Sequence, residues 1–175
     1  MLNSAVDAHQ RGDIRNAIAG YERVISLEPK NAIATQLLGA CYLQQNRFAK
    51  ARESFESAIK LDPSYGDAFH NLARLEEIEH DLEAAEKSYR RAIELMPSKA
   101  DSVFSLANVL KAKGEFAESE QCYRKTIELS PAYAAAHRQL ARLIDHASVD
   151  EDILAMETLL GKLSTPDTSK MHLAF

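Results

Sequence analysis

Nucleophilic, redox or metal chemistry would begin at a thiol, and this chain of 175 residues has two, Cys41 and Cys122. Neither has a second Cys or a His at metal-ligand spacing, and two are too few for a disulfide framework. Both therefore read as small buried apolar residues. The histidines His9, His70, His80, His137, His146 and His172 form no HExxH or other metal spacing, and no serine sits in a GxSxG elbow. Gly12, Gly20, Gly39, Gly66, Gly114 and Gly161 are too scattered to cradle a phosphate or a dinucleotide. The acidic pairs Glu76-Glu77 and Glu83-Glu86 have the chemistry for acid-base work, but in polar helical stretches they read as solvated faces. The expectation is a non-enzymatic chain with no catalytic residue, cofactor or metal.

The remaining polar chemistry is recognition. Asn3, Leu37, Asn71, Ser105 and Gln139 recur at an interval of 34 residues, so four of the five carry a polar group. Side-chain amides donate and accept hydrogen bonds at once, which suits them to the main chain of an extended peptide. Two neighbouring columns at the same interval run Leu2, Gln36, His70, Phe104, Arg138 and Val6, Ala40, Arg74, Asn108, Arg142. With Leu37 and Leu43 they are apolar towards the N-terminus, and with Arg74, Asn108, Arg138, Gln139 and Arg142 polar and locally basic towards the C-terminus.

The elements that must position these residues follow from the same interval. Pro29, Pro63, Pro97 and Pro131 are spaced by it, as are the columns Leu38, Leu72, Leu106, Leu140 and Ala5, Gly39, Ala73, Ala107, Ala141. Ala17, Ala51, Ala85, Ser119 and the aromatics Tyr21, Phe55, Tyr89, Tyr123 also align. A period in this range signals a repeat array. Within one unit, Leu38, Gly39 and Tyr42 share one helix face, and Ala51, Phe55, Ala58 and Ile59 share another. Each unit is thus two amphipathic helices. Gly12, Asn46, His80 and Gly114 stand where the first helix must stop in a left-handed conformation. The prolines stop the second helix, because proline has no amide hydrogen and disfavours helical geometry in the residue before it. The small columns let two helices approach, and the aromatics fill the adjacent space.

The stretch "LLGACYLQQNRFAKARESFESAIKLDP" resembles the tetratricopeptide repeat family at its Leu-Gly, Tyr, Ala, Phe, Ala and Pro columns. The likeness runs from residue 1 to about 133, with Ser4 in place of the first Leu and Glu76 where an aromatic or aliphatic residue is usual. It implies an all-α fold, a right-handed α-solenoid of antiparallel helix pairs. The chain is then one domain over 1–175, with units at 1–31, 32–65, 66–99 and 100–133 and a degenerate fifth pair at 134–163. Residues 164–175, with Met171 and Phe175 one turn apart, are either a closing helix or the start of a sixth unit. Around "DEDILAMETLL" the chain is also similar to the repeats that precede a sulfotransferase domain in bacterial proteins.

In this family the first helix of each unit lines a concave groove. The resemblance therefore implies a peptide-binding surface made of Asn3, Leu37, His70, Asn71, Arg74, Phe104, Ser105, Asn108, Arg138, Gln139 and Arg142. The amide column is similar to the asparagine ladder of the O-GlcNAc transferase superhelix. The two-carboxylate clamp of chaperone-binding relatives is not reproduced, because its columns hold His70, Arg74, Ser105, Ala135 and Gln139 without either lysine. The expected function is a protein-interaction scaffold. Two alternatives stand beside it: a substrate-presenting arm of a larger transferase, and a homo-oligomer built through exposed apolar ends. A net charge of −5 disfavours nucleic acid and anionic membrane as partners. No apolar run approaches the roughly 20 residues of a membrane span and the N-terminus carries no leader pattern, so a cytoplasmic location is expected.

Overall fold

Pairs of antiparallel helices follow one another along the chain, and the computed structural model describes residues 1–144 of them. The first helices of the four complete pairs are α1 (Leu2–Gln10), α3 (Ala32–Gln44), α5 (Gly66–Ile78) and α7 (Ala100–Lys113). The second helices are α2 (Ile14–Leu27), α4 (Phe48–Leu61), α6 (Leu82–Leu95) and α8 (Phe116–Leu129). A ninth helix, α9, begins at 134 and is described as far as 144. No strand occurs among the described residues, and no helix there is long and apolar enough to cross a membrane. The second helix of the degenerate fifth pair and the segment 164–175, with Met171 and Phe175, lie outside the described residues.

Local chemistry sets the boundaries. Among the described residues Gly12, Asn46, His80 and Gly114 have positive φ, at 77°, 57°, 62° and 83°, within two residues of the ends of the first helices. This left-handed step turns the chain back on itself. The second helices each end two residues before a proline. The intervening Glu28, Asp62, Met96 and Ser130 are extended, with φ between −129° and −145°, the geometry that a following proline imposes. Asp13, Asn31 and Asp81 cap helix starts by accepting the amide hydrogens of Asn16, Ala34 and Ala84.

Each helix packs on its neighbours in chain order, and α3 also touches α5. Tyr21, Phe55, Tyr89 and Tyr123 are fully buried, as are Ala17, Ala51 and Ala85 one turn earlier. At Gly39 the approach is tight: a Cβ there would stand 2.7 Å from the Phe55 ring and 3.0 Å from Ser54 Cβ. Two expectations need correction. Cys122 is half-buried, although Cys41 is fully enclosed. Glu76 is no solvated carboxylate: it is 5% exposed, because it occupies the inward column filled by Tyr42 and Leu110 in the units on either side.

Candidate peptide-binding groove

The columns expected to face a ligand differ in what already holds them. On α1 and α3, Asn3 is exposed and Leu37 is half-buried, packed with Leu2 and Val6 against the core around Tyr21, Leu38 and Phe55. On α5, Asn71 is half-buried and accepts a hydrogen bond at 3.4 Å from the exposed Arg74. His70 is the most enclosed of the expected residues. Its Nδ1 lies 2.9 Å from Ser102 Oγ, and its ring meets Tyr89 edge-on at 5.6 Å. Burial, then the charges of Lys99 and Arg74, push its imidazole down to about 4, so at neutral pH the ring is uncharged.

On α7, Phe104 is half-buried between Tyr123 and Tyr133, with ring centroids at 5.8 and 4.9 Å. Asn108 accepts the Tyr123 hydroxyl hydrogen at 2.7 Å, and the half-buried Ser105 stands beside the Tyr89 hydroxyl. On α9, Arg138 and Arg142 are exposed, while Gln139 accepts from Lys111 at 2.7 Å. Contacts thus join His70 to the second-helix Tyr89, Asn108 to Tyr123, and Gln139 to α7. None among the described residues links successive members of the amide column to one another, and Asn3 stands apart at the N-terminal end.

The tyrosines connect the inner layer to this face. Wherever the second helix carries Tyr rather than Phe, its hydroxyl emerges beside a side chain of the first helix: Tyr21 at His9, Tyr89 at Glu77 and Tyr123 at Asn108. Unit two has Phe55 and no such hydroxyl, which leaves its face apolar around Leu37 and Ala40. The carboxylates on α5 and α7 are engaged from within. Glu77 accepts from Tyr89 at 3.0 Å, Asp101 accepts from Tyr133 at 2.9 Å, and Asp67 pairs with Lys99. Arg74 has no ion-pair partner among the described residues. Lys111 was not anticipated from the sequence; its offset of three residues from Asn108 on the same helix face was the available signal.

Chemistry beyond binding finds little support in this geometry. The Cys41 sulfur lies 3.6 Å from His9 Nδ1, a spacing a nucleophile and its base would need, but the thiol is fully enclosed and burial pushes it up to about 11. It is protonated at neutral pH and has no approach for a substrate. Among the described residues no three His, Cys, Asp or Glu side chains are placed to hold a metal ion.

The sequence matches the tetratricopeptide repeat family model over residues 2–66, 42–102 and 70–134. No curated protein sequence matches it significantly. Among solved structures it is similar to MamA, at 23% identity and a TM-score of 0.74 over 92% of this chain and 97% of that one. It is similar to YrrB, described as a TPR protein with an unusual peptide-binding site, at 21% identity and a TM-score of 0.69 over 84% and 76% of the two chains. The first TPR of Spaghetti (RPAP3), solved bound to the HSP90 peptide SRMEEVD, is 19% identical with a TM-score of 0.65, covering 67% of this chain and 93% of that one. These identities establish likeness of fold.

Proposed function

The chain belongs to the tetratricopeptide repeat family, and from that premise we propose that it is a non-catalytic scaffold binding a protein segment along the face of its first helices. The observation that carries this reading is the division of that face. Leu2, Val6, Leu37 and Ala40 make units one and two apolar, whereas Arg74, Lys111, Arg138 and Arg142 supply cations beyond them. The neighbouring carboxylates Glu77, Asp101 and Asp67 are engaged by Tyr89, Tyr133 and Lys99, and none of them pairs with those cations. The ligand is an extended or helical segment with apolar side chains at one end and acidic ones at the other. The peptide-binding site described for YrrB and the HSP90 peptide bound by Spaghetti support binding of this general kind. Asn71, Asn108 and Gln139 contribute amides to the ligand main chain, and a cytoplasmic address belongs to the same proposal.

The test is charge reversal at two exposed residues, Arg74→Glu with Arg142→Glu, which touches no packing column. Circular dichroism should report an unchanged helical fold. A calorimetric titration with a peptide bearing leucines at one end and glutamates at the other should show at least a tenfold loss of affinity, about 1.4 kcal/mol. Unchanged binding by the folded double variant rejects the face as the site.

A second reading, self-assembly, is favoured by one observation. The N-terminal edge carries Met1 and Leu27, 70% and 61% exposed, as an apolar margin. Light scattering across a concentration series distinguishes it, since a scaffold of the first kind stays at one mass.

A further inference from the structure

The second helices α2 and α4 leave an open groove of about 530 Å3 between them, above the stripe of α3 opposite Leu37 and Ala40. Its floor is Ile25, Pro29, Leu38, Tyr42 and Leu61. The hydroxyls of Thr35 and Ser54, also in the floor, are turned away: Thr35 donates to the Asn31 carbonyl at 2.9 Å and Ser54 to the Lys50 carbonyl at 2.8 Å. The groove therefore offers carbon to an incoming side chain. From Pro29 and Leu61 the apolar strip continues to Ile33, which is 48% exposed.

Comparison with the next junction shows why this one is open. There, one repeat later, Arg91 replaces Ser57 and lies over the ring of Phe69, which replaces Thr35, at 5.9 Å. Glu76 replaces Tyr42 and is met by Arg52, whose place at the first junction is taken by Ile18. Two arginines thus plug the second junction, while Ser57 leaves the first one unfilled.

The rim is cationic. Arg47 and Lys50 lie over the Tyr42 ring at 4.5 and 5.6 Å, Lys60 stands on the α4 wall, and Lys30 borders the strip near Ile33. Among the described residues none of these four cations has a carboxylate within ion-pair distance; ion pairing begins at Arg52. Of the nearby acids, Glu22 accepts from the Tyr42 hydroxyl at 3.1 Å, Glu28 from Asn31 and Asp62 from Ser64, which leaves Glu53 on the wall. We propose that this groove docks a partner-protein segment that inserts apolar side chains between α2 and α4 and flanks them with carboxylates, a second docking surface separate from the first-helix face. The volume lies within the roughly 300 to 1,000 Å3 of side-chain and ligand pockets. An amphipathic helix laid in a groove is a recurring way to fill such a strip.

The experiment uses the full chain, labelled with 15N, and two synthetic helical peptides with the same leucine stripe, one flanked by glutamates and the other by lysines. The acidic peptide should bind saturably and shift resonances of α2, α4 and the Leu38–Tyr42 stripe, and the lysine peptide should not. Lys50→Glu with Lys60→Glu should weaken the acidic peptide at least tenfold. Ser57→Arg, which copies the next junction, should also weaken it tenfold despite the added positive charge, whereas Arg74→Glu with Arg142→Glu should leave this site unchanged. Tighter binding by the Ser57→Arg variant, shifts confined to the first-helix face, or no saturation at millimolar peptide would each overturn the proposal. So would a concentration-dependent dimer dissolved by the Lys50→Glu, Lys60→Glu pair, because it would seat a second copy of the chain in the groove.

Discussion

His70 shows how a single position on the candidate face serves the fold. Its ring fills space beside Tyr89 and hydrogen-bonds to Ser102, and burial in that position holds it in the neutral form. In the unfolded chain an imidazole titrates near 6.5, whereas here it titrates at about 4. A base whose folded pKa is depressed contributes stability that is present above 6.5 and lost as the pH falls towards 4. The array should therefore lose on the order of 1 to 2 kcal/mol between pH 7 and pH 5 through this residue alone. Urea unfolding at the two pH values checks it: His70→Gln should shrink the difference, and an equal difference in the variant would assign the acid sensitivity to other groups. The sequence placed His70 in a ligand-facing column, but its enclosure depends on Ser102 and Tyr89 arriving from two other helices.

At the scale of helices, Gly39 and Glu76 are contrasting contacts. Gly39 lets α3 and α4 meet where Phe55 stands, so Gly39→Leu must displace the fully buried Phe55 ring or push the two helices apart. Overpacking of this kind costs about 1 to 3 kcal/mol. Glu76 sits between α4 and α6 with one carboxylate oxygen buried and unpaired, and burial raises its pKa above the ordinary glutamate value despite Arg52 nearby. Glu76→Leu removes that oxygen and leaves Arg52 with Glu56 and Glu79, so no orphaned charge is created. Replacing a poorly satisfied buried carboxylate with an apolar residue should be neutral or stabilising by about 1 kcal/mol. Thermal melts should fall for Gly39→Leu and hold or rise for Glu76→Leu, and equal losses in the two variants would refute the packing assigned to both columns.

Across the whole molecule the junctions between units are alike in backbone and different in charge. Arg52 pairs with Glu79 where α4 meets α5, and one repeat later Glu86 pairs with Lys113, the same two positions with their signs exchanged. At the first junction those positions hold Ile18 and Gln45. A one-unit slip in stacking would bring like charges together, which favours the order of units found in the chain. Both pairs reach solvent, where an ion pair adds little to stability, so the effect lies in discrimination more than in stability. Arg52→Glu alone should lower the melting temperature, because it places a fourth carboxylate among Glu56, Glu76 and Glu79. The triple change Arg52→Glu, Glu76→Leu, Glu79→Lys transplants the later junction and should recover most of the loss. A triple variant that melts as low as the single one would show that charge order plays no part.

What the sequence determined by itself is the periodic architecture. Turn residues such as Gly12 and Asn46, the pre-proline stops at Leu27 and Leu61, and the small-plus-aromatic column of Ala51 and Phe55 act within a few residues or one helix contact. Their types and spacing therefore suffice to announce them. Tertiary structure alone decided which side chains meet across units. Glu76 looks solvated in its own polar stretch and is buried because α4 and α6 close over it. Lys111 is held by Gln139 from a helix 28 residues away. The groove beside Tyr42 is open because Ser57 and Ile18 are too short or uncharged to do what Arg91 and Arg52 do one repeat later. Repetition fixes the backbone from local chemistry. The surface between repeats depends on pairs of residues distant in sequence, whose meeting no periodicity encodes.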